Sequence, residues 1–206
     1  MGGSDRVTTI AQLEALYGAP VEAALTKEID AISPHYRAFI EKSPFVVVAT
    51  CGPEGLDCSP RGDPSGFVRV LDERTVTLPD RRGNRRLDSL RNLVRDPRIS
   101  LLFLVPGVGE TLRVNGRAEI KIDTELCASF EMQGKLPQSV LVVHVDRVYY
   151  QCQKALVRSR LWDPEARVQR SALPSAGAML ETLSEREIDG DEYDRRYPEH
   201  MKKTIY

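Results

Sequence analysis

The sequence predicts a mainly β fold, an antiparallel barrel that is closed or nearly closed and has flanking helices. Six or seven short segments with β-branched or alternating apolar residues fill the middle of the chain, and tight turns join most of them. Regular helices do not alternate with these segments, which disfavours a parallel, doubly wound sheet. Of the 206 residues, 41% are hydrophobic and 29% are charged, so one domain with its own core is expected.

Residues 1–43 are expected to form a helical N-terminal extension. Thr9 and Gln12 have the spacing of a capping box, and Gly18 follows as a helix stop. Ser33 and Pro34 predict the start of another helix, with Ser33 as its N-cap. Helical spacing predicts three apolar faces: Ile10, Leu13, Leu16 and Tyr17 on the first helix; Val21, Ala24 and Leu25, turned inward, on a second helix from about Pro20; and Tyr36, Phe39 and Ile40 on the third.

Residues 44–163 are expected to form the barrel core. Strands are predicted over residues 45–50, 56–60, 67–71, 75–78, 99–105, 111–122 and 139–148. Residues 164–206 form a C-terminal arm that is rich in charge from residue 180 onward. Such an arm either packs irregularly or stays mobile.

The distribution of charge singles out residues 81–98. This segment contains seven arginines and two aspartates, a local net charge of +5, although the whole chain carries only −1. We expect Asn84 to cap a helix here, which would place Arg85 and Arg86 in its first turn. Cations are unfavourable at that end of a helix, whereas phosphates bind there readily, so a bound anion is predicted. The hydroxyl of Ser89, one turn further on, would assist.

Two other interpretations of the basic segment stay open. Its arginines could form a solvated helix face, paired with Asp80, Asp88 and Asp96. Binding of nucleic acid is the weaker alternative, because the run is short, contains no aromatic residue and belongs to a chain that is not basic overall.

Three further positions are candidates for the same ligand. Residues 59–63, which include Arg61, Gly62 and Asp63, are expected between two strands, where an arginine and backbone amides could face it. Thr111 begins a strand, and Trp162 could stack on a planar ligand or close the core. No metal site is predicted, since the cysteines and histidines are dispersed; His144 is interpreted as structural rather than as a base.

At this point the order of motifs resembles a known family. The strand, the Gly83-Asn-Arg-Arg86 motif, the helix and the later segments DPRISLLF and VNGRAE are similar to the pyridoxamine 5′-phosphate oxidase superfamily of split-barrel flavoproteins. The segments SPRGDPSGFVRVLD, LPDRRGNRRLDSLRN and KALVRSRLWDP resemble a bacterial subgroup of FMN-binding proteins. The resemblance covers roughly residues 45–164.

The resemblance implies a homodimer with FMN at the subunit interface. Arg85 and Arg86 match the basic pair that holds the FMN phosphate, and Thr111 matches a polar position at the pyrimidine edge of the flavin. Trp162 would come from the partner subunit. The complete set of expected cofactor-binding residues is Arg61, Gly62, Asp63, Pro79, Asp80, Asn84, Arg85, Arg86, Ser89, Thr111 and Trp162.

The expected function is that of an FMN-dependent oxidoreductase acting on a small molecule, with no side chain assigned as catalytic. Residues 193–206 do not match the substrate-binding tail of the true oxidases, which argues against vitamin B6 oxidation. The alternatives are a flavin carrier or sensor and a relative that binds haem or a deazaflavin. The sequence shows neither a secretory signal nor a membrane-spanning run, so a cytoplasmic protein is expected.

Overall fold

Seven antiparallel strands form one sheet in the computed structural model, which describes residues 5–206. The strands are β1 (Phe45–Gly52), β2 (Gly55–Gly62), β3 (Arg69–Asp72), β4 (Thr75–Asp80), β5 (Arg98–Leu104), β6 (Thr111–Lys121) and β7 (Ser139–Gln151). Their order across the sheet is β2-β1-β5-β6-β7-β4-β3. The predicted antiparallel, mainly β architecture is confirmed.

The sheet curls so that strands near its two edges meet. Four strands separate β2 from β4 in the sheet, which on a flat sheet would place them about 24 Å apart. In the protein, Nε of Arg61 on β2 lies 3.9 Å from Oδ1 of Asp80 at the end of β4. The curled sheet encloses a core built from alternate residues of the strands, such as Val46 and Val48 of β1 against Leu101 and Phe103 of β5.

Eight α-helices and two short 3₁₀ turns flank the sheet in the described part of the chain. The helices are α1 (Ile10–Tyr17), α2 (Glu22–Thr26), α3 (Pro34–Lys42), α4 (Asp88–Arg95), α5 (Thr124–Ser129), α6 (Lys154–Ser159), α7 (Ala176–Leu183) and α8 (Gly190–Thr204). Within residues 5–206, none of these helices is long and apolar enough to cross a bilayer.

The N-terminal helices confirm the predicted caps but only one of the predicted faces. The Thr9–Gln12 capping box is present, and Ser33 caps α3, whose Ile40 is fully buried. In contrast, α1 and α2 bury no residue, and the side chain of Leu25, expected to turn inward, is exposed. Helical periodicity identifies an apolar face, but it does not specify a surface within the chain that covers that face.

The basic segment differs from its prediction in one important respect. α4 begins at Asp88, so Arg85 and Arg86 lie in the preceding loop and not in the first helical turn. Asn84 does not cap the helix; its Oδ1 accepts a hydrogen bond from the backbone N–H of Arg86. Leu87 takes the N-cap position with a φ of 61°. These two arginines therefore lie outside the first turn of α4, and support for a bound anion comes from the side chains.

The C-terminal arm forms a helical hairpin, where an irregular segment was one expectation. α7 and α8 begin at side-chain caps from Ser175 and Asp189. They pack mainly against each other, and a Cβ at Gly177 would clash with the backbone oxygen of Gly190. After α8 the chain turns back to the sheet, where Tyr206 contacts the end of β2 and the start of the loop after β4.

Candidate functional site

A cavity of about 1030 Å³ lies where the curled sheet brings β2 and β4 together. The second half of β2, the end of β4, the loop of residues 81–87 and the start of α4 form most of its wall. Nine of the eleven predicted binding residues line it: Arg61, Gly62, Asp63, Pro79, Asp80, Asn84, Arg85, Arg86 and Ser89. The segment around Arg61 reaches the cavity as part of β2, rather than as the loop that was predicted.

A network of hydroxyl groups and one guanidinium covers the wall between β2 and α4. Arg61 donates hydrogen bonds to Oγ of Ser59 at 2.9 Å and to Oγ of Ser89 at 3.2 Å. The two serine oxygens are 3.0 Å apart, and Ser89 donates to Asp57 at 2.5 Å. Ser89 is buried, so its position is fixed before any ligand arrives. Arg61 is thus held in place by neutral hydroxyls, and Asp80 lies at ion-pair distance, 3.9 Å away.

Asp80 is the acidic group closest to Arg61. Its side chain is mostly buried, and the 3.9 Å separation from Nε of Arg61 is too long for a hydrogen bond. Burial raises the pKa of Asp80 above its ordinary value, and the charge of Arg61 offsets this only in part. Asp80 is therefore a weakly compensated acid at the end of β4.

Asp63 and Arg81, the residues directly after β2 and β4, form a tightly bonded pair. Nε of Arg81 donates to Oδ2 of Asp63 at 2.7 Å, and the side chain of Asp63 is only 1% exposed. A second nitrogen of Arg81 donates to the backbone oxygen of Phe130 at 2.6 Å. The hydroxyl of Tyr206 donates to the other carboxylate oxygen of Asp63 at 2.6 Å, and this bond raises the pKa of Tyr206.

The exposed arginines of the 81–87 loop differ in whether they have an ion-pair partner. Arg86 pairs with Asp88 at 2.8 Å on the surface. Arg82 and Arg85 are exposed, line the cavity and have no hydrogen-bond or ion-pair partner among residues 5–206. Of the predicted pairings with Asp80, Asp88 and Asp96, the structure therefore shows Arg86 with Asp88 and Arg98 with Asp96, but none for Arg82 or Arg85.

Taken together, the side chains of the wall favour an anion. Six cationic residues and four acidic residues line the cavity. Arg82 and Arg85 have no ion-pair partner among residues 5–206, and Arg61 has Asp80 at 3.9 Å. Guanidinium groups beside serine hydroxyls are suited to phosphate oxygens, which accept several hydrogen bonds at once.

Two predicted binding residues lie elsewhere. Thr111 is buried at the start of β6, opposite Leu104 and Gln151, and does not line the cavity. Nε1 of Trp162 donates to the backbone oxygen of Val108 at 2.8 Å, also outside the cavity. A single chain thus does not bring these two residues to the other nine.

The structure also places one histidine outside the cavity and two C-terminal residues in its wall. His144 is exposed on β7, where its Nε2 lies 3.6 Å from Oε1 of Glu119 and outside the cavity. Tyr206 and Ile205 line the cavity but were not predicted to do so. No local pattern marks them, because the contact with Asp63 joins residues 143 positions apart. Among residues 5–206, no cluster of histidine, cysteine or acidic residues could hold a metal ion.

Comparison with solved structures gives several distant matches. HupZ of Group A Streptococcus is 18% identical, with 59% of this chain and 94% of that chain covered and a TM-score of 0.48. A protein from Lactobacillus delbrueckii, described as a putative pyridoxamine 5′-phosphate oxidase, is 18% identical, with 59% and 95% covered and a TM-score of 0.45. An FMN-binding protein from Syntrophomonas wolfei is 13% identical, with 55% and 82% covered and a TM-score of 0.43.

Sequence comparison is more decisive. No curated protein matches the chain significantly. The family model described as pyridoxamine 5′-phosphate oxidase matches residues 32–152, more than half of the chain. The match runs from the start of α3 through the last strand and includes every cavity segment except the C-terminal residues. The chain therefore belongs to the pyridoxamine 5′-phosphate oxidase family.

Proposed function

We propose that this protein is an FMN-dependent oxidoreductase that binds FMN in the cavity between β2 and β4 and acts on a small molecule. The observation that carries the proposal is that Arg82 and Arg85 line the cavity with Arg61 and have no partner within residues 5–206. Membership of the family supports the same ligand, as do the seven cavity residues that the resemblance predicted.

The residues present fit FMN. A cavity of about 1030 Å³ is at the upper end of the usual range for ligands of this size. Arg85 and Arg86 would hold the phosphate, with Arg61 and Ser89 as further donors. Pro79 and Asp80 would lie beside the ring system, and Gly62, Asp63 and Asn84 would complete the wall.

FMN supplies the redox chemistry when it is bound, so the protein is required to bind, orient and control access. This division of labour agrees with the cavity wall, which contains no histidine or cysteine. The lining residues also offer no obvious axial ligand for haem, since the exposed His144 lies outside the cavity.

We propose further that the protein is a split-barrel homodimer. Thr111 and Trp162 match flavin-binding positions of the family but lie outside the cavity of their own chain. In a dimer with the cofactor at the interface, a partner copy would bring these residues to the ligand. A fluorescence titration across a range of protein concentrations would reveal this dependence on assembly.

The phosphate assignment is tested by titrating FMN into the variant Arg85→Ala/Arg86→Ala. Charge-assisted hydrogen bonds contribute about 1.5–3 kcal/mol each, so the affinity is expected to fall by about two to four powers of ten. Arg91→Ala is the matched control, because Arg91 is exposed on α4 but outside the cavity. Equal affinities in the double variant and the wild type would overturn the assignment.

The rate at which the bound FMN is reduced distinguishes an enzyme from a flavin carrier. Rapid anaerobic reduction of the bound FMN by NADH, NADPH or another small donor, followed by rapid reoxidation by an acceptor, is expected of the oxidoreductase. Slow reduction by every donor tried would favour a carrier or a sensor.

A further inference from the structure

The C-terminal arm reaches the cavity although it lies outside the residues that match the family model. That match ends at residue 152, whereas Ile205 and Tyr206 form part of the cavity wall. Between them, residues 164–174 are all exposed, and α7 and α8 pack mainly against each other. Little therefore holds the arm on the barrel except its far end.

The contact at this end is a single polar anchor. The Tyr206 hydroxyl donates to Oδ1 of Asp63 at 2.6 Å, while Arg81 occupies Oδ2 at 2.7 Å. The guanidinium carbon of Arg81 also lies 5.5 Å from the centre of the Tyr206 ring. When the arm lifts, the carboxylate exchanges a charge-assisted hydrogen bond for water, which leaves only a modest preference for the closed arrangement.

We propose that the C-terminal arm is a gate on the cavity and that Tyr206, bound to Asp63, is the latch that keeps it closed. Asp63 is well suited to receive the latch, because the Arg81 bond and a bond from its own backbone N–H to the Pro44 oxygen fix its position. The ligand would enter and leave while the latch is open. The identity of that ligand rests on the proposed function, whereas the latch itself does not.

The latch is tested first in the ligand-free protein by hydrogen exchange of residues 190–204. α7 and α8 bury only Gly177 and Gly190, and α8 contains Pro198, so the hairpin would be marginal once detached from the barrel. Protection of α8 therefore reports docking of the hairpin. Tyr206→Phe should speed this exchange about tenfold, which corresponds to about 1.4 kcal/mol. The control is Tyr197→Phe, because Tyr197 stacks on Tyr193 within α8 and should leave exchange unchanged.

The gate is tested next by stopped-flow binding of FMN. In Tyr206→Phe, association and dissociation should both accelerate, with little change in the Kd, because opening limits both. Unchanged exchange in the first experiment would refute the latch. Faster exchange with unchanged binding rates would refute the gate.

The two proposals fail separately. If the wild-type protein does not bind FMN, the proposed function is wrong, and the hydrogen-exchange experiment still decides the latch. If it binds FMN but neither exchange nor rates respond to Tyr206→Phe, the gate is wrong and the proposed function stands.

Discussion

Two groups of arginines face the same cavity, and the protein uses their charges differently. Arg81 is mostly buried and donates to Asp63 and to a backbone oxygen. Its charge is therefore neutralised within the fold. Arg82 and Arg85 follow within four residues, yet they are exposed and have no partner in the described chain. Adjacent residues of one type can therefore serve stability and ligand binding separately, and the division is set by the carboxylate that each can reach.

The largest effect should come from breaking the buried pair. Arg81→Met leaves Asp63, 1% exposed, with only the Tyr206 hydroxyl, and loss of one partner of a buried pair lowers stability by about 3–5 kcal/mol. Urea denaturation, followed by fluorescence of the single tryptophan Trp162, measures this. Arg91→Met is the control and should stay within about 0.5 kcal/mol of the wild type. A loss below about 1 kcal/mol would mean that Arg81 does not stabilise the fold in the way described.

Replacing an arginine that has no partner in the described chain should weaken FMN binding without lowering stability. Arg82→Ala should leave the free energy of unfolding unchanged and reduce FMN affinity by roughly 10- to 150-fold, the equivalent of about 1.5–3 kcal/mol. Equilibrium titration and urea denaturation of the same variant give both quantities. If the variant loses stability but keeps its affinity for FMN, the division between the two groups of arginines is wrong.

A smaller, pH-dependent effect on stability is expected at Asp80, whose charge is only partly compensated by Arg61. Its folded pKa is raised above the ordinary 3.8, mainly by burial, so the folded protein retains this proton longer than the unfolded chain. Ionisation of Asp80 therefore lowers stability as the pH rises from about 3.8 through the raised pKa. Asp80→Asn should be more stable than the wild type at pH 7.

The advantage of Asp80→Asn should shrink as the pH falls toward 4, where the wild-type carboxyl also becomes neutral. Paired urea denaturations at pH 7, 5.5 and 4 would follow this trend. A difference that is constant over the range, or that favours the wild type at pH 7, would show that Arg61 compensates Asp80 more fully than the 3.9 Å separation indicates.

The strands and most of the site could be predicted because their signals are local. Apolar runs, alternation and tight turns identified the strands, and Ser33 followed by Pro34 identified the start of α3. The resemblance to the family placed Arg61 and Arg85 in one site, and the cavity contains both residues.

What could not be predicted depends on contacts distant in sequence or on the cost of a local conformation. The start of α4 at Asp88 requires positive φ angles at Arg85 and Leu87, which residue preferences disfavour. The hydrogen bond from Tyr206 to Asp63 depends on how the helical hairpin packs relative to the sheet. No sequence pattern in either segment predicts it.

The central claim is that this cavity holds FMN. The most direct test is an absorbance spectrum of the purified protein, with the mass of any released cofactor measured after denaturation. The account predicts flavin bands and the mass of FMN, or their appearance when FMN is added to a colourless preparation. A colourless protein that fails to bind added FMN, or one that releases haem or a deazaflavin, would contradict it.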